Sequence, residues 1–389
     1  MKNVLEVINL ASSARNFIGT QFSYLQENGD YRMHLICSPD DKMEAYTKQM
    51  NIVYHPLKLN RQLSPIADIK AMTEICKYIK KNNIEVVIAH QAKARLLAML
   101  ACFFTRVPYR VVFAHGVLYE TMHGLKRWLV KMNDKLVSML ADRVVCVSKY
   151  VAEMREKDHI DAAGKRVILG KGSCNGIDAV NKFNPALYNE DKIASIKAKH
   201  GITDDDFVIG FVGRLVKDKG VIELLEGFSK LQTMHPEKKI KLMVIGQPEV
   251  RDGLPESTLS VIRNSKDIIF TGLVPYEDIA AYYMVMNVFI LPSHRDGLGM
   301  VALEAAAMGC PVLVSSITGC RETILPDITG NYVDLTGNSI CNMLEKYLDQ
   351  ELGRLHGANG RKFILDSFEQ SIVNQSMLDF LNKFVNNGK

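Results

Sequence analysis

The sequence predicts an α/β protein made of two doubly wound, parallel-sheet domains facing a central cleft. Three observations point there. Short runs rich in Val and Ile, such as Val86–Ala89 and Val288–Leu291, recur along the chain with helical stretches between them. Strands this apolar are covered on both faces, and a parallel sheet flanked by helices supplies that cover. The runs fall into two sets, and 389 residues suffice for two domains of ordinary size.

The first set holds Val4–Ile8, His34–Cys37, Val86–Ala89, Arg110–Ala114, Arg143–Val147 and Val167–Leu169. The second holds Val208–Val212, Leu242–Ile245, Ile268–Phe270, Val288–Leu291 and Val312–Ser315. Between them Asn184-Pro185 breaks regular structure, a polar helix spans 190–200, and Gly201 to Asp206 forms an acidic turn. The expected domains are therefore 1–185 and 186–366. A final helix within 367–389 repeats Ile372, Met377, Leu378, Leu381 and Phe384 at helical spacing.

Apolar residues make up 47% and charged residues 23%, as in soluble globular proteins. No window approaches the roughly 18 apolar residues of a membrane span. The first ten residues have Glu6 inside their apolar run and no cleavage site, so they read as a first core strand and not a signal peptide. Eight cysteines are scattered with no CxxC pair, which suits buried thiols in a reducing cytosol and argues against a zinc centre. Charge is uneven: residues 1–180 hold 26 Lys and Arg against 17 Asp and Glu, while the remainder hold 22 against 26. A basic first half suits an anionic surface or substrate.

The most informative segment runs from Leu291 to Ala305. A buried strand enters a turn bearing Asp296, Gly297 and Gly299, and a helix follows that carries Glu304. Glycines let backbone N–H groups approach a ligand, and a helix start offers unpaired N–H groups to oxyanions. Upstream, Phe207 to Gly220 is a strand running into a turn with Arg214 and Lys219, a guanidinium fork and a point charge suited to one diphosphate. In the first half, His115-Gly116 ends one strand. His90, Lys93 and Arg95 follow another, where they could line an acceptor site.

These segments resemble retaining glycosyltransferase family 4, enzymes of GT-B fold, and among them those that build bacterial capsular and cell-surface polysaccharides. Asp296 and Glu304 match the family's acid-x7-acid signature, with Asp where the usual residue is Glu. Gly213, Arg214 and Lys219 match its G-R-L-x-x-x-K-G motif. The resemblance implies that Arg214 and Lys219 hold the nucleotide diphosphate and stabilise it as leaving group. It implies that Glu304 binds the ribose and Asp296 the transferred sugar. Gly297, Leu298, Gly299 and Met300 would supply N–H groups, and Leu273 would lie in the base-contacting loop. His115 maps onto a histidine beside the transferred sugar. Ser12, Ser13 and Arg15 stand where many members have a Gly-Gly loop. Ser173 and Asn175 lie in an N-G-I-D segment common at the domain junction. The last helix would cross back onto the first domain.

The activity so implied is retaining, metal-independent transfer of a sugar from a nucleoside diphosphate sugar, UDP-linked in this branch, to a polyprenyl-diphosphate-linked saccharide. No cofactor, metal or nucleic acid is expected. The stretch from Tyr119 to Val137 interleaves Lys126, Arg127, Lys131 and Lys135 with Leu125, Trp128, Leu129 and Met132. Such a basic amphipathic helix suits peripheral contact with an anionic inner membrane from the cytoplasmic side. An NAD-dependent oxidoreductase is the alternative from another class, since Gly297-x-Gly299-x-x-Ala302 fits a dinucleotide fingerprint. That reading leaves Arg214, Lys219 and Glu304 without a role. A GT-B nucleotide-sugar epimerase is the alternative within the fold.

Overall fold

The computed structural model describes residues 1–60, 64–250 and 252–386. They form two compact units, one of residues 1–176 with 370–389 and one of residues 177–369.

The first unit holds a seven-stranded sheet of β1 (Lys2–Leu10), β2 (Tyr31–Ser38), β3 (Val53–Pro56), β4 (Val86–Ala89), β5 (Tyr109–Ala114), β6 (Arg143–Cys146) and β7 (Arg166–Val167). Its order is β3-β2-β1-β4-β5-β6-β7, and neighbouring strands are parallel. The second unit holds β8 (Phe207–Val212), β9 (Ile240–Ile245), β10 (Ile268–Gly272), β11 (Val288–Leu291), β12 (Val312–Ser315) and β13 (Gly330–Val333) in the order β10-β9-β8-β11-β12-β13. These are also parallel. Each sheet is doubly wound, with chain order reversing beside β1 and β8.

Two strands escaped the sequence reading. β3 (VYHP) and β13 (GNYV) are edge strands, each hydrogen-bonded on one side only. An edge strand need not be apolar on both faces, so its run does not stand out. The central strands do: β4, β11 and β12 are buried at every position.

The chain leaves the first unit after Gly176, earlier than the expected 185. Residues 177–184 pack in the second unit: Ile177 N–H donates to Phe368 O at 2.8 Å, and the Arg361 guanidinium donates to Phe183 O at 3.0 Å. The helix Gln370–Asn386 belongs to the first unit. Val373, Met377 and Leu381 are fully buried there, and Tyr109 Oη donates to Val385 O at 2.8 Å. Among the described residues no helix is long and apolar enough to cross a membrane.

Candidate active site

In the second unit two turns meet beyond the carboxyl ends of β8 and β11, neighbours at the point where strand order reverses. Open parallel sheets bind ligands at such points. β8 runs through Gly213 and Arg214 into a short 3-10 turn, Lys217–Lys219. Gly220 follows with φ +67°, and a Cβ there would stand 1.8 Å from Pro292 O. Only glycine allows both that backbone and that approach. The contact lays one turn directly on the other. His294 N–H and Ser293 Oγ both donate to Asp218 O, at 2.8 and 3.1 Å, and Arg295 pairs with Asp218 at 2.7 Å. His294 Nε2 lies 2.8 Å from Glu223 Oε1.

This lacing brings Lys219 Nζ and Asp296 Oδ2 into a direct ion pair. Arg214, on the same turn as Lys219, is more exposed and pairs with Glu249 at 2.9 Å. Gly299 caps the helix Met300–Ala307 with φ +82°. Leu298 is buried, whereas Leu273 after β10 is exposed. The turn Gly319–Thr323 props the acid-bearing turn from behind, for Gly319 N–H donates to Asp296 O at 3.1 Å.

Glu304 lies further along the same helix and is almost wholly buried. Tyr283 Oη donates to its Oε2 at 2.9 Å. Burial pushes its carboxyl up to about 7, against the opposing pull of Tyr283 and of the Lys182 charge. Burial lowers Lys182 to about 8 although Glu304 attracts it, and its ammonium lies over the Tyr276 ring. A buried carboxyl near neutrality with a cation beside it is poised to accept from hydroxyls. Lys182, Tyr276 and Tyr283 were not singled out from the sequence. Nothing local marks them, since they reach Glu304 only through the fold.

The first unit presents a different constellation at its own reversal point. Glu6 sits on β1, His90 just after β4, and His115 just after β5. His90 Nε2 is 2.9 Å from Glu6 Oε2, and His90 Nδ1 is 3.0 Å from His115 Nε2. His90 stacks on Phe113 with ring centres 4.7 Å apart, and His115 stacks on Phe17 at 5.2 Å. Burial lowers both imidazoles, His90 to about 3, with the Arg95 charge adding to the effect. Burial raises Glu6 to about 8. One ligand atom each of His90, His115 and Cys174 lies within 4.8 Å of the others, which invites a metal reading. The ring centres of the two histidines, however, are 5.2 Å apart for a nitrogen spacing of 3.0 Å. That separation is nearly the nitrogen spacing plus two ring radii of about 1.1 Å, so the nitrogens face each other head-on as a hydrogen bond requires. Ligands of one ion would converge on a third point.

The expected acceptor set His90, Lys93 and Arg95 is not an open surface. His90 is buried between Glu6 and His115. Lys93 pairs with Asp68 at 2.6 Å. Arg95 pairs with Asp134 at 2.9 Å, inside a buried network completed by Arg155 and Asp161. All three are spent on partners far away in sequence. Arg15 is likewise held by Asp40 through bonds of 2.7 and 2.6 Å, and Ser13 accepts from Gln91 at 2.9 Å. Residues 12–16 lie in a helix that follows β1 directly. Ser173 Oγ accepts from Gly176 N–H at 3.0 Å, and Asn175 donates to Asn16 O at 3.3 Å, so both brace the chain before it leaves the unit.

Two family descriptions match complementary parts of the chain: Glycosyltransferase Family 4 over residues 17–170 and Glycosyl transferases group 1 over residues 192–358. The chain is 27% identical to a capsular polysaccharide biosynthesis glycosyltransferase of Staphylococcus aureus, CapM, covering 99% of this chain and 98% of that one. It is 26% identical to an Escherichia coli UDP-Gal:alpha-D-GlcNAc-diphosphoundecaprenol alpha-1,3-galactosyltransferase over 90% of each. Among solved structures, a glycosyltransferase from Rickettsia africae superposes with a TM-score of 0.81 at 19% identity, covering 100% of this chain and 99% of that one. Anabaena HepE in complex with UDP and glucose superposes with a TM-score of 0.79 at 15% identity, covering 99% and 100%. These likenesses are those of the GT-B fold.

Proposed function

The chain belongs to the family 4-like glycosyltransferases of GT-B fold, related to bacterial enzymes of capsular and cell-surface polysaccharide synthesis, and from that premise we propose that it moves a sugar from a UDP-sugar to a polyprenyl-diphosphate-linked saccharide with retention of configuration and without a metal. The observation that carries this reading is the meeting of Lys219 with Asp296 at the β8/β11 reversal point, with Arg214 on the same turn.

Lys219 and Arg214 hold the diphosphate, and their fixed charge offsets the negative charge that grows as the sugar–phosphate bond breaks. The acceptor hydroxyl oxygen bonds to the anomeric carbon on the face the diphosphate leaves, and the hydroxyl proton passes to the departing phosphate oxygen. No side-chain nucleophile is needed. Asp296 accepts from hydroxyls of the transferred sugar, and the N–H groups of Gly297 to Met300 donate to sugar and phosphate oxygens. Glu304 accepts from the ribose, and Leu273 borders the base. His115 touches the transferred sugar.

Two named relatives support the lipid-linked acceptor, the Escherichia coli enzyme above and a Campylobacter jejuni N,N'-diacetylbacillosaminyl-diphospho-undecaprenol alpha-1,3-N-acetylgalactosaminyltransferase, 23% identical over 90% of this chain and 90% of that one. Further support comes from the helix Gly124–Leu140. Its solvent face presents Leu125, Trp128, Leu129, Met132, Leu136 and Met139, with exposed Lys126 and Lys135 beside them. An apolar face edged by lysines suits the headgroup layer of an anionic membrane, reached from the cytoplasm.

The test is transfer from a panel of nucleotide sugars to a synthetic polyprenyl-diphosphate saccharide, with and without EDTA, and the product anomer read by NMR. Turnover with a UDP-sugar, indifferent to EDTA and giving the donor's anomer, is expected. Turnover only with GDP- or dTDP-sugars removes the UDP assignment, and an inverted anomer removes retention.

A further inference from the structure

Glu6 breaks the apolar run Val4–Ile8 of β1, and its side chain is 1% exposed. Its Oε2 meets His90 Nε2, while Oε1 has no partner. The ring of His90, equally buried, passes the contact on to His115 Nε2. His115 is only partly covered. With Nε2 engaged by His90, Nδ1 is its remaining ring nitrogen.

We propose that Glu6 and His90 are positioning residues that set the tautomer of His115, and so decide whether its Nδ1 donates or accepts. The inference rests on the reading of His115 as a sugar contact only for its consequence in transfer; the relay itself stands on the geometry of the first unit.

A neutral imidazole has one N–H and one lone pair, so roles along the line are correlated. In the first state the Glu6 hydroxyl donates to His90 Nε2, His90 Nδ1–H donates to His115 Nε2, and His115 Nδ1 carries the other hydrogen as a donor. In the second state one proton has left from His115 Nδ1. The His90 Nδ1 hydrogen has moved to His115 Nε2, and the Glu6 hydrogen to His90 Nε2. Glu6 is then a carboxylate that accepts from His90, and His115 Nδ1 carries a lone pair. One proton is lost overall, and the negative charge rests on Glu6.

The surroundings select between these states. Besides His90, the titratable groups near Glu6 are Cys174 and Tyr46, both pushed upward by burial and hence neutral. Near the two rings the charged group is Arg95, which opposes imidazolium formation. Both rings therefore stay neutral, and the proton inventory turns on Glu6. Burial raises Glu6 to about 8, so the donor state holds at neutral pH and the acceptor state above it. A donor suits a sugar hydroxyl or phosphate oxygen, whereas an acceptor suits a hydroxyl hydrogen.

The experiment is 15N NMR of the full chain labelled at histidine, from about pH 6 to 10, which distinguishes the tautomers of neutral imidazole. His115→Asn and His90→Asn assign the two residues by loss of signal. Exchange of His115 from the Nδ1–H to the Nε2–H form in step with His90 is expected, with both changes absent in Glu6→Gln, whose amide does not titrate. A transfer rate that falls across the same interval in the unsubstituted protein, but not in Glu6→Gln, is the matching kinetic result. One tautomer of His115 throughout, or the same change persisting in Glu6→Gln, overturns the relay. If the tautomer follows Glu6 while His115→Ala transfers sugar at the unsubstituted rate, the relay stands and the sugar-contact reading of His115 falls instead.

Discussion

Lys219 is paired with Asp296, and on the proposed reading that carboxylate competes with the nucleotide's diphosphate for the cation. Asp296→Ala should therefore leave UDP binding as tight as before or tighter, measured by calorimetry, while transfer falls. Weaker UDP binding would mean that Asp296 holds Lys219 in place. Lys219→Ala should reduce kcat/KM by about 10²-fold or more, the scale of a lost oxyanion donor. Glu6 gives a prediction of another kind. Its carboxyl rises from 4.5 to about 8 on folding, so across that interval the folded chain holds a proton that the unfolded chain has released. Stability then falls as pH rises through the interval. Glu6→Gln removes this loss, so its stability relative to the unsubstituted protein should improve between pH 5 and pH 8.5 in urea titrations. An equal difference at both pH values would show that Glu6 is not held neutral. The settings of Arg214, Lys219, Asp296 and Glu304 after β8 and β11 were legible in sequence because each belongs to a local strand–turn–helix pattern. The ion pairs of Lys93 and Arg95 were not legible, for the opposite reason. Their partners, Asp68 and Asp134, are brought near only by packing, and an ion-paired cation looks in sequence like a free one. Glu6 did leave a mark, as an acid within an apolar strand. Its meaning depended on His90, which directly follows a strand paired with β1 but distant along the chain.

Elements place these residues through a few backbone contacts. The turn after β8 reaches Asp296 because Gly220 lies against Pro292 O. Gly220→Ala would have to hold a left-handed backbone, which costs about 1–2 kcal/mol, and its methyl would collide with that carbonyl as well. It should lower stability by about 2 kcal/mol or more, seen as a reduced melting temperature, and weaken UDP binding because the two turns separate. An unchanged melting temperature would show that the turn has room to shift. The helix Gly124–Leu140 poses the opposite case, an element with its apolar residues turned outward. Asp134, Val137 and Ser138 are its buried side chains, while Leu125 and Met139 are 72% and 69% exposed. Replacing Leu125, Trp128 and Leu129 with Ser should cut retention on anionic vesicles at least several-fold in flotation, with the melting temperature kept, because these side chains lie outside the core. Equal flotation would move the membrane contact elsewhere. The central strands and this helix were readable from their periodicity. The direction of the helix was not, since an amphipathic pattern tells which residues share a face but not what covers it.

At the scale of the molecule, the first unit is discontinuous: its last helix arrives after the whole second unit has been traversed. Spacing of apolar residues announced that helix, and the switch from one set of strands to the next announced two domains. The crossing points were less legible, because residues 177–184 are fixed by distant groups such as Phe368 O and Arg361, which no local pattern reveals. The discontinuity has an energetic consequence. Met377 and Leu381 fill the first unit's core, Tyr31 Oη meets Asn382 at 2.8 Å, and the Phe384 ring packs on Tyr109 with centres 5.2 Å apart. The strands β2 and β5 therefore depend on a helix that follows the whole second unit in sequence. Truncating one fully buried leucine here removes its transfer free energy and leaves a cavity, a cost of about 2–5 kcal/mol. Leu381→Ala should lose that stability from the first unit. Hydrogen exchange read by mass spectrometry locates the loss: peptides of β1, β2 and β5 should exchange faster, while those of β8, β11 and β12 keep their protection. Equal acceleration in both sheets would show that the two units open as one cooperative body, and no acceleration in β1 and β2 would show that the helix is a dispensable cover.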